Sequence, residues 1–195
     1  MKVGIVVSPE ARATSDIVHL ARLLRDIGSE LTIVIGNVGL SPRKYLSLGV
    51  PNPHFLSGVE DDIIITKDAR SSGRLLDGRE EVVGGRRVWF VSGLDPHQSM
   101  ELLMRRYGRG GPDMIISYHP PHGCGDLIAC LGVRGGLVEL AEFIEEVKPE
   151  VVLCRGRVSE VCAVRGATVL AFKPGSVVLL EFSEKLIRCR LVRVS

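Results

Sequence analysis

The densest set of chemically capable side chains is the run His119-Pro-Pro-His122-Gly-Cys124-Gly-Asp126. Two imidazoles, a thiolate and a carboxylate are donor types that suit a zinc ion. The spacing matches no regular zinc pattern. The run therefore reads first as a loop stiffened by Pro and Gly, with a relocated single-metal site as the alternative. The five cysteines, Cys124, Cys130, Cys154, Cys162 and Cys189, form no CxxC pair and are odd in number, so neither a zinc ribbon nor a disulfide framework is expected. Cys154, Cys162 and Cys189 sit in apolar runs, where a thiol acts as a small buried hydrophobe. This usage points to a reducing cytoplasm. His19, in a helical pattern, and His54 and His97, beside prolines, read as structural. Arg105, Arg106 and Arg109 read as a solvated face. Arg188 and Arg190 share one side of a strand, with Arg193 further along it, but no aromatic residue accompanies them, so nucleic acid is not the expected partner.

These residues need a scaffold, and the composition defines its class. The chain has 195 residues, 45% hydrophobic and 25% charged, with a formal net charge of +2. That excludes intrinsic disorder and gives no electrostatic case for nucleic acid. No window approaches the ~18 consecutive apolar residues of a membrane span, and the N-terminal run reads as a strand, not a signal peptide. Arginine far exceeds lysine and amides are scarce, a compositional mark of a thermophilic source.

Hydrophobic periodicity predicts a strand over Lys2–Val7, then a helix capped by Ser15 with Ile17, Leu20, Leu23, Leu24 and Ile27 on one face. A strand at Leu31–Ile35 ends in Gly36-Asn37, where Gly36 suits a tight turn. Ser41-Pro42 opens a short helix through Leu48. Strands follow at Asp62–Thr66, Glu81–Val83 and Arg86–Val91, the last two joined by a Gly84-Gly85 hairpin. Trp89 reads as core packing. A helix over Gln98–Tyr107 turns Leu102 and Leu103 inward. Then come a strand at Asp113–Ser117, a helix at Leu137–Val147 and a strand at Glu150–Cys154. Four short strands close the chain: Val161–Val164, Thr168–Phe172, Val177–Phe182 and Leu186–Val194. The alternation implies a single α/β domain of α+β character over residues 1–195, with two mixed β-sheets and helices outside.

Four stretches carry a family resemblance. GNVGLSPRKYLSLGVPNPH resembles the Gly-Asn-His or Gly-Asn-x-Asp loop and short helix of calcineurin-like metallophosphoesterases. DMIISYHPPHGCGD resembles that family's strand and Ser-His-x-Pro-Pro-x-Gly loop. VRGGLVELAEFIEEVKPEVVLCRGRVSEV resembles its helix, strand and Gly-His-x-His-Glu loop, and ATVLAFKPGSVVLLEF the next strand with an Asn-Pro-Gly turn. The matches run in family order. The resemblance implies a four-layer sandwich of two mixed sheets flanked by helices, with a site on loops at strand ends. In the family, two metals there hold a hydroxide that attacks phosphorus.

Against that pattern most ligands are absent. The first strand ends in Ser8-Pro9-Glu10-Ala11 instead of an Asp-x-His loop. About 28 residues separate Ser8 from Asn37, too few for two strand-helix units, so the strand bearing the bridging carboxylate is expected to be missing. Alternatively, Asn37 stands in that carboxylate's own place. Tyr118 occupies the position of a ligand histidine, with His119 displaced by one. Gly156-Arg157-Val158-Ser159-Glu160 replaces Gly-His-x-His-Glu. The resemblance thus implies a degenerate member akin to small phosphoesterases and to the phosphoesterase-like subunit of retromer. Its vestigial pocket would comprise Asn37, Tyr118, His119, His122, Arg157 and Ser159. Arg155, Arg157 and Lys173 could bind an anion in place of metals. The expected function is a non-catalytic binding or scaffold module without cofactor, acting with a protein partner or as a homodimer. The alternative is a metal-dependent phosphodiesterase with one Mn²⁺ or Zn²⁺ on Asn37, His119, His122 and Asp126. If Glu10, Asp95 and His97 converged on Asn37 and His119, the enzyme reading would gain.

Overall fold

Lys2–Val7 is a run of β-formers buried on both faces and forms strand β1. The computed structural model describes residues 1–108, 110–183 and 187–192. Arg109, Arg193 and the ends of the expected Leu186–Val194 strand lie outside them. The chain divides into two units, Met1–Leu76 with Gly175–Ser195, and Asp77–Pro174.

In the first unit, α1 (Thr14–Asp26) follows β1 and sends Ile17, Leu20, Ala21 and Leu24 into the core. Ser15 is not its cap. Asp16 Oδ2 accepts from the Arg12 and Ala13 N–H groups, both at 2.9 Å, because a carboxylate one residue on satisfies two orphan donors at once. β2 (Leu31–Ile35), α2 (Pro42–Ser47) and β3 (Pro53–Leu56) come next. β3 was not foreseen, since Pro51 and Pro53 flank Asn52 and mask its short apolar run; it is an edge strand, where proline is tolerated. The expected strand at Asp62–Thr66 is instead the start of α3 (Ile63–Ser71). Its three isoleucines suggest β-structure, but Asp62 accepts from the Ile64 N–H at 2.9 Å and caps a helix. Ile63 and Ile64 are exposed, while Thr66 and Ala69 face inward.

After the second unit the chain returns as β12 (Val177–Phe182) and β13 (Ile187–Val192). The sheet order is β13-β12-β1-β2-β3. β1, β2 and β3 are mutually parallel, and β12 and β13 run antiparallel. The core joins Val6, Val34, Tyr45, Phe55 and Ala69 to the inner face of α1. Cys189, expected to be buried, is exposed on β13 because that strand is a sheet edge.

The second unit opens with the hairpin β4 (Glu80–Val83) and β5 (Arg86–Val91), turning at Gly84-Gly85. α4 (Pro96–Tyr107) is capped by Asp95, whose Oδ1 accepts from the Gln98 N–H, and buries Leu103 fully and Leu102 partly. β6 (Met114–Ser117), the small hairpin β7 (Leu127–Ile128) and β8 (Val133–Arg134), α5 (Val138–Val147) and β9 (Val151–Arg155) follow. β10 (Glu160–Val164) and β11 (Ala167–Phe172) complete a sheet of order β10-β11-β9-β6-β5-β4, parallel from β5 to β11 with antiparallel edges. The core packs Trp89, Ile115, Val152 and Val169 against Leu103 of α4 and Ile144 of α5. Trp89 is fully buried and donates from Nε1 to Glu80 at 2.6 Å, satisfying its one polar atom. Each unit is thus a mixed sheet flanked by helices. Among the described residues no helix is long and apolar enough to cross a membrane.

Candidate functional site

In sheets with parallel strands, ligands bind at the carboxyl ends of the strands. In the first unit those ends are Ser8–Glu10 after β1, Gly36–Gly39 after β2 and Ser57–Asp61 after β3. The presence of β3 as a third parallel strand corrects the expectation that a strand is missing. Gly36 and Asn37 directly follow the second of these strands.

Backbone strain gathers here. Ser8, Glu10 and Asn37 have φ of 41°, 48° and 45°, a region non-glycine residues occupy only where surrounding contacts impose it. The Glu10 N–H bonds the Asn37 carbonyl at 2.9 Å. Gly39, at φ 81°, could carry no Cβ, which would strike the Ala11 backbone. These turns border an open pocket of about 440 Å³ lined by Glu10, Arg12, Asn37, Leu40 and Glu60. Within it, Asn37 Nδ2 donates to Glu60 Oε2 at 3.1 Å and Oδ1 accepts from the Glu60 N–H at 3.4 Å. Asp61 is buried and accepts from the Val38 and Gly58 N–H groups at 2.6 and 2.7 Å. Burial raises its carboxyl above the ordinary range against the lowering by those bonds.

The second unit presents the loops after β6 and β9. Tyr118 is 1% exposed. His119 stands edge-on to its ring at 4.9 Å, and the Arg155 guanidinium lies over it at 5.0 Å, a cation–π contact. His119 Nε2 is 3.0 Å from the Gly93 carbonyl, which requires that nitrogen to carry the proton. Burial lowers the imidazole pKa, and the nearby Arg155 charge lowers it further, against the raising effect of the Gly93 bond. His122 is exposed, with Nδ1 3.7 Å from Asp126. Asp126 is fully buried and accepts from Arg134 at 2.7 Å and from the Gly123 and Gly136 N–H groups at 3.0 and 3.3 Å. Its desolvation is outweighed by those bonds, and its pKa falls.

Cys124 does not join this set. Its sulfur is bonded to Cys162, which corrects the expectation that no disulfide forms. The odd count concealed one pair and three free cysteines. Cys154 is buried as expected, and burial, followed by the Asp126 charge, pushes its thiol up. Arg157 and Lys173 are exposed, and the Ser159 hydroxyl accepts from the Lys173 N–H at 3.1 Å. Asp95 caps α4 and His97 is exposed on that helix. Of the acids named as able to rebuild a site, Glu10 alone lines the Asn37 pocket.

Sequence reasoning missed Glu60 and Asp61, because their loop follows the unrecognised β3, and Arg12, in the loop after β1. It also missed Arg134, although a buried carboxylate such as Asp126 demands a cation. Among the described residues, Cys124, Glu160 and Cys162 are the one group of three His, Cys, Asp or Glu donors that lie within 4.8 Å of one another.

No family model matches the sequence, and no curated protein matches it. Solved structures do. The chain is similar to TT1561 of Thermus thermophilus, with 16% identity, 98% of this chain and 99% of that one covered, and a TM-score of 0.71. Against Vps29 of Chaetomium thermophilum the values are 11%, 100%, 97% and 0.51. Against a purple acid phosphatase of yellow lupin they are 8%, 92%, 49% and 0.54. At such identities the likeness establishes the fold.

Proposed function

Starting from a chain that has the calcineurin-like metallophosphoesterase fold, we propose that it serves as a binding or scaffold module in which two-metal catalysis has been lost. One observation carries this reading: Asp126, the buried carboxylate of the candidate run, already has an arginine as its counter-ion. His119 is held on a backbone carbonyl, Asp126 on an arginine and two amides, Asn37 on Glu60, and Asp61 on two amides. A dication would have to displace Arg134 from Asp126, and the arginine already supplies the charge that a buried carboxylate needs. The buried Tyr118 ring supports the Arg155 guanidinium beside His119, which adds positive charge where a dication would have to bind.

Two features support binding instead. Arg157 and Lys173 are exposed cations on the loops after β9 and β11, suited to a phosphate or carboxylate on the partner. The pocket beside Asn37 offers carboxylates and Arg12 to a polar ligand. A protein or a second copy of this chain is the expected partner.

The test is hydrolysis of a generic phosphodiester by metal-stripped protein after addition of Mn²⁺ or Zn²⁺. No turnover above buffer is expected. Turnover that disappears in His119→Ala would overturn the reading in favour of a mononuclear phosphodiesterase using His119, His122 and Asp126.

A further inference from the structure

Alternation along edge strand β10 places Glu160, Cys162 and Val164 on one face, with Val161 and Ala163 exposed on the other. The carboxylate and the thiol are thus adjacent by register alone. Cys124 meets them from the loop after β6, which is fastened to the same strand. The Gly125 N–H donates to Glu160 Oε2 at 2.8 Å, and the Gly125 carbonyl accepts from the Arg157 N–H at 2.7 Å. Gly125 itself, at φ 68°, could hold no Cβ against Ala171. The two cysteine Cα atoms are 6.0 Å apart.

We propose that in the reduced chain Cys124, Cys162 and Glu160 bind one zinc ion, and that formation of the Cys124–Cys162 disulfide releases it. A separation of 6.0 Å between Cα atoms serves both states. In a tetrahedral zinc site with Zn–S bonds of ~2.3 Å the sulfurs stand roughly 3.8 Å apart, reached from the disulfide by side-chain rotation. Thiolate donors select zinc over magnesium, calcium or manganese. The Gly125 N–H already orients the carboxylate, as an outer partner does for a ligating oxygen. Cys124 is fully buried, while Cys162 and Glu160 are half-buried, and water would supply the fourth ligand.

The cycle balances. On binding, the two thiols release two protons. On oxidation by a small-molecule disulfide, the two thiolate sulfurs join in one S–S bond and pass two electrons to the oxidant. Its S–S bond breaks, it leaves as two thiolates, and the zinc ion departs. This site shares Cys124 with the His119–Asp126 run but takes its other two donors from β10, and its test does not involve turnover.

The full chain is reduced, stripped of metal and titrated with Co²⁺ and then Zn²⁺ under inert gas. One equivalent of Co²⁺ should give thiolate-to-metal charge-transfer absorption that Zn²⁺ abolishes. Glu160→Gln, which keeps an acceptor for the Gly125 N–H, should weaken binding about tenfold or more. Cys162→Ser should remove a large part of the charge-transfer band with the far-ultraviolet circular dichroism unchanged, and His119→Ala should bind as the parent. Adding a small-molecule disulfide to the zinc form should release one Zn²⁺ as two thiols are lost. Absence of thiolate bands in the folded, reduced chain, parent-like affinity in Glu160→Gln, or zinc retained after oxidation would each overturn the proposal.

Discussion

His119 shows how one environment decides what a side chain can do. An exposed imidazole titrates near neutrality and offers a free nitrogen. Here burial and the neighbouring Arg155 disfavour the charged form, and the Gly93 carbonyl holds the Nε2 proton. The unfolded chain therefore takes up a proton before the folded one does. The corresponding stability is fully present above the ordinary value of 6.5 and is lost as pH falls toward the lowered folded value. Urea midpoints measured from pH 7 downward should fall in the parent chain and flatten in His119→Gln. Asp126 shows the opposite balance: a fully buried carboxylate stays ionised because Arg134 and two amides stabilise the charge more than burial penalises it.

At the scale of elements, α3 is where local propensity and context disagree. Three consecutive isoleucines favour a strand, yet Ile63 and Ile64 face solvent and the segment is helical. What distinguishes it is the Asp62 side chain on the Ile64 N–H. Asp62→Ala should cost about 1 kcal/mol of stability, read as a shift of the denaturant midpoint at constant slope. The parallel strands illustrate the reverse case. β1, β2, β6 and β9 were readable because strands covered on both faces become short continuous apolar runs between turn signals. β3 was not, since four residues that begin with a proline carry too little pattern.

For the whole molecule, the covalent link between Cys124 and Cys162 spans a sequence separation of 38. A cross-link of that span restricts the unfolded chain and stabilises by about 2–4 kcal/mol. The oxidised protein should melt well above the reduced, metal-free protein, and adding Zn²⁺ to the latter should restore part of the difference. The same link fastens the loop bearing Tyr118, His119 and Asp126 to the strand that follows Arg157 and Ser159. The second unit's candidate residues therefore depend on a pairing between positions remote in sequence.

The amino-acid sequence by itself determined the α/β class, most strands and helices and the short-range turns, because each rests on periodicity or on one residue's conformational limits. Gly36, at φ 52°, and the Gly84-Gly85 hairpin are of that kind. Tertiary structure alone decided which polar groups meet. The pairing of Cys124 with Cys162, the arginine on Asp126 and the grasp of Glu60 on Asn37 depend on strand order and loop approach, which no local pattern encodes. A side chain's chemistry follows from its partners, and these partners lie up to 38 positions away along the chain.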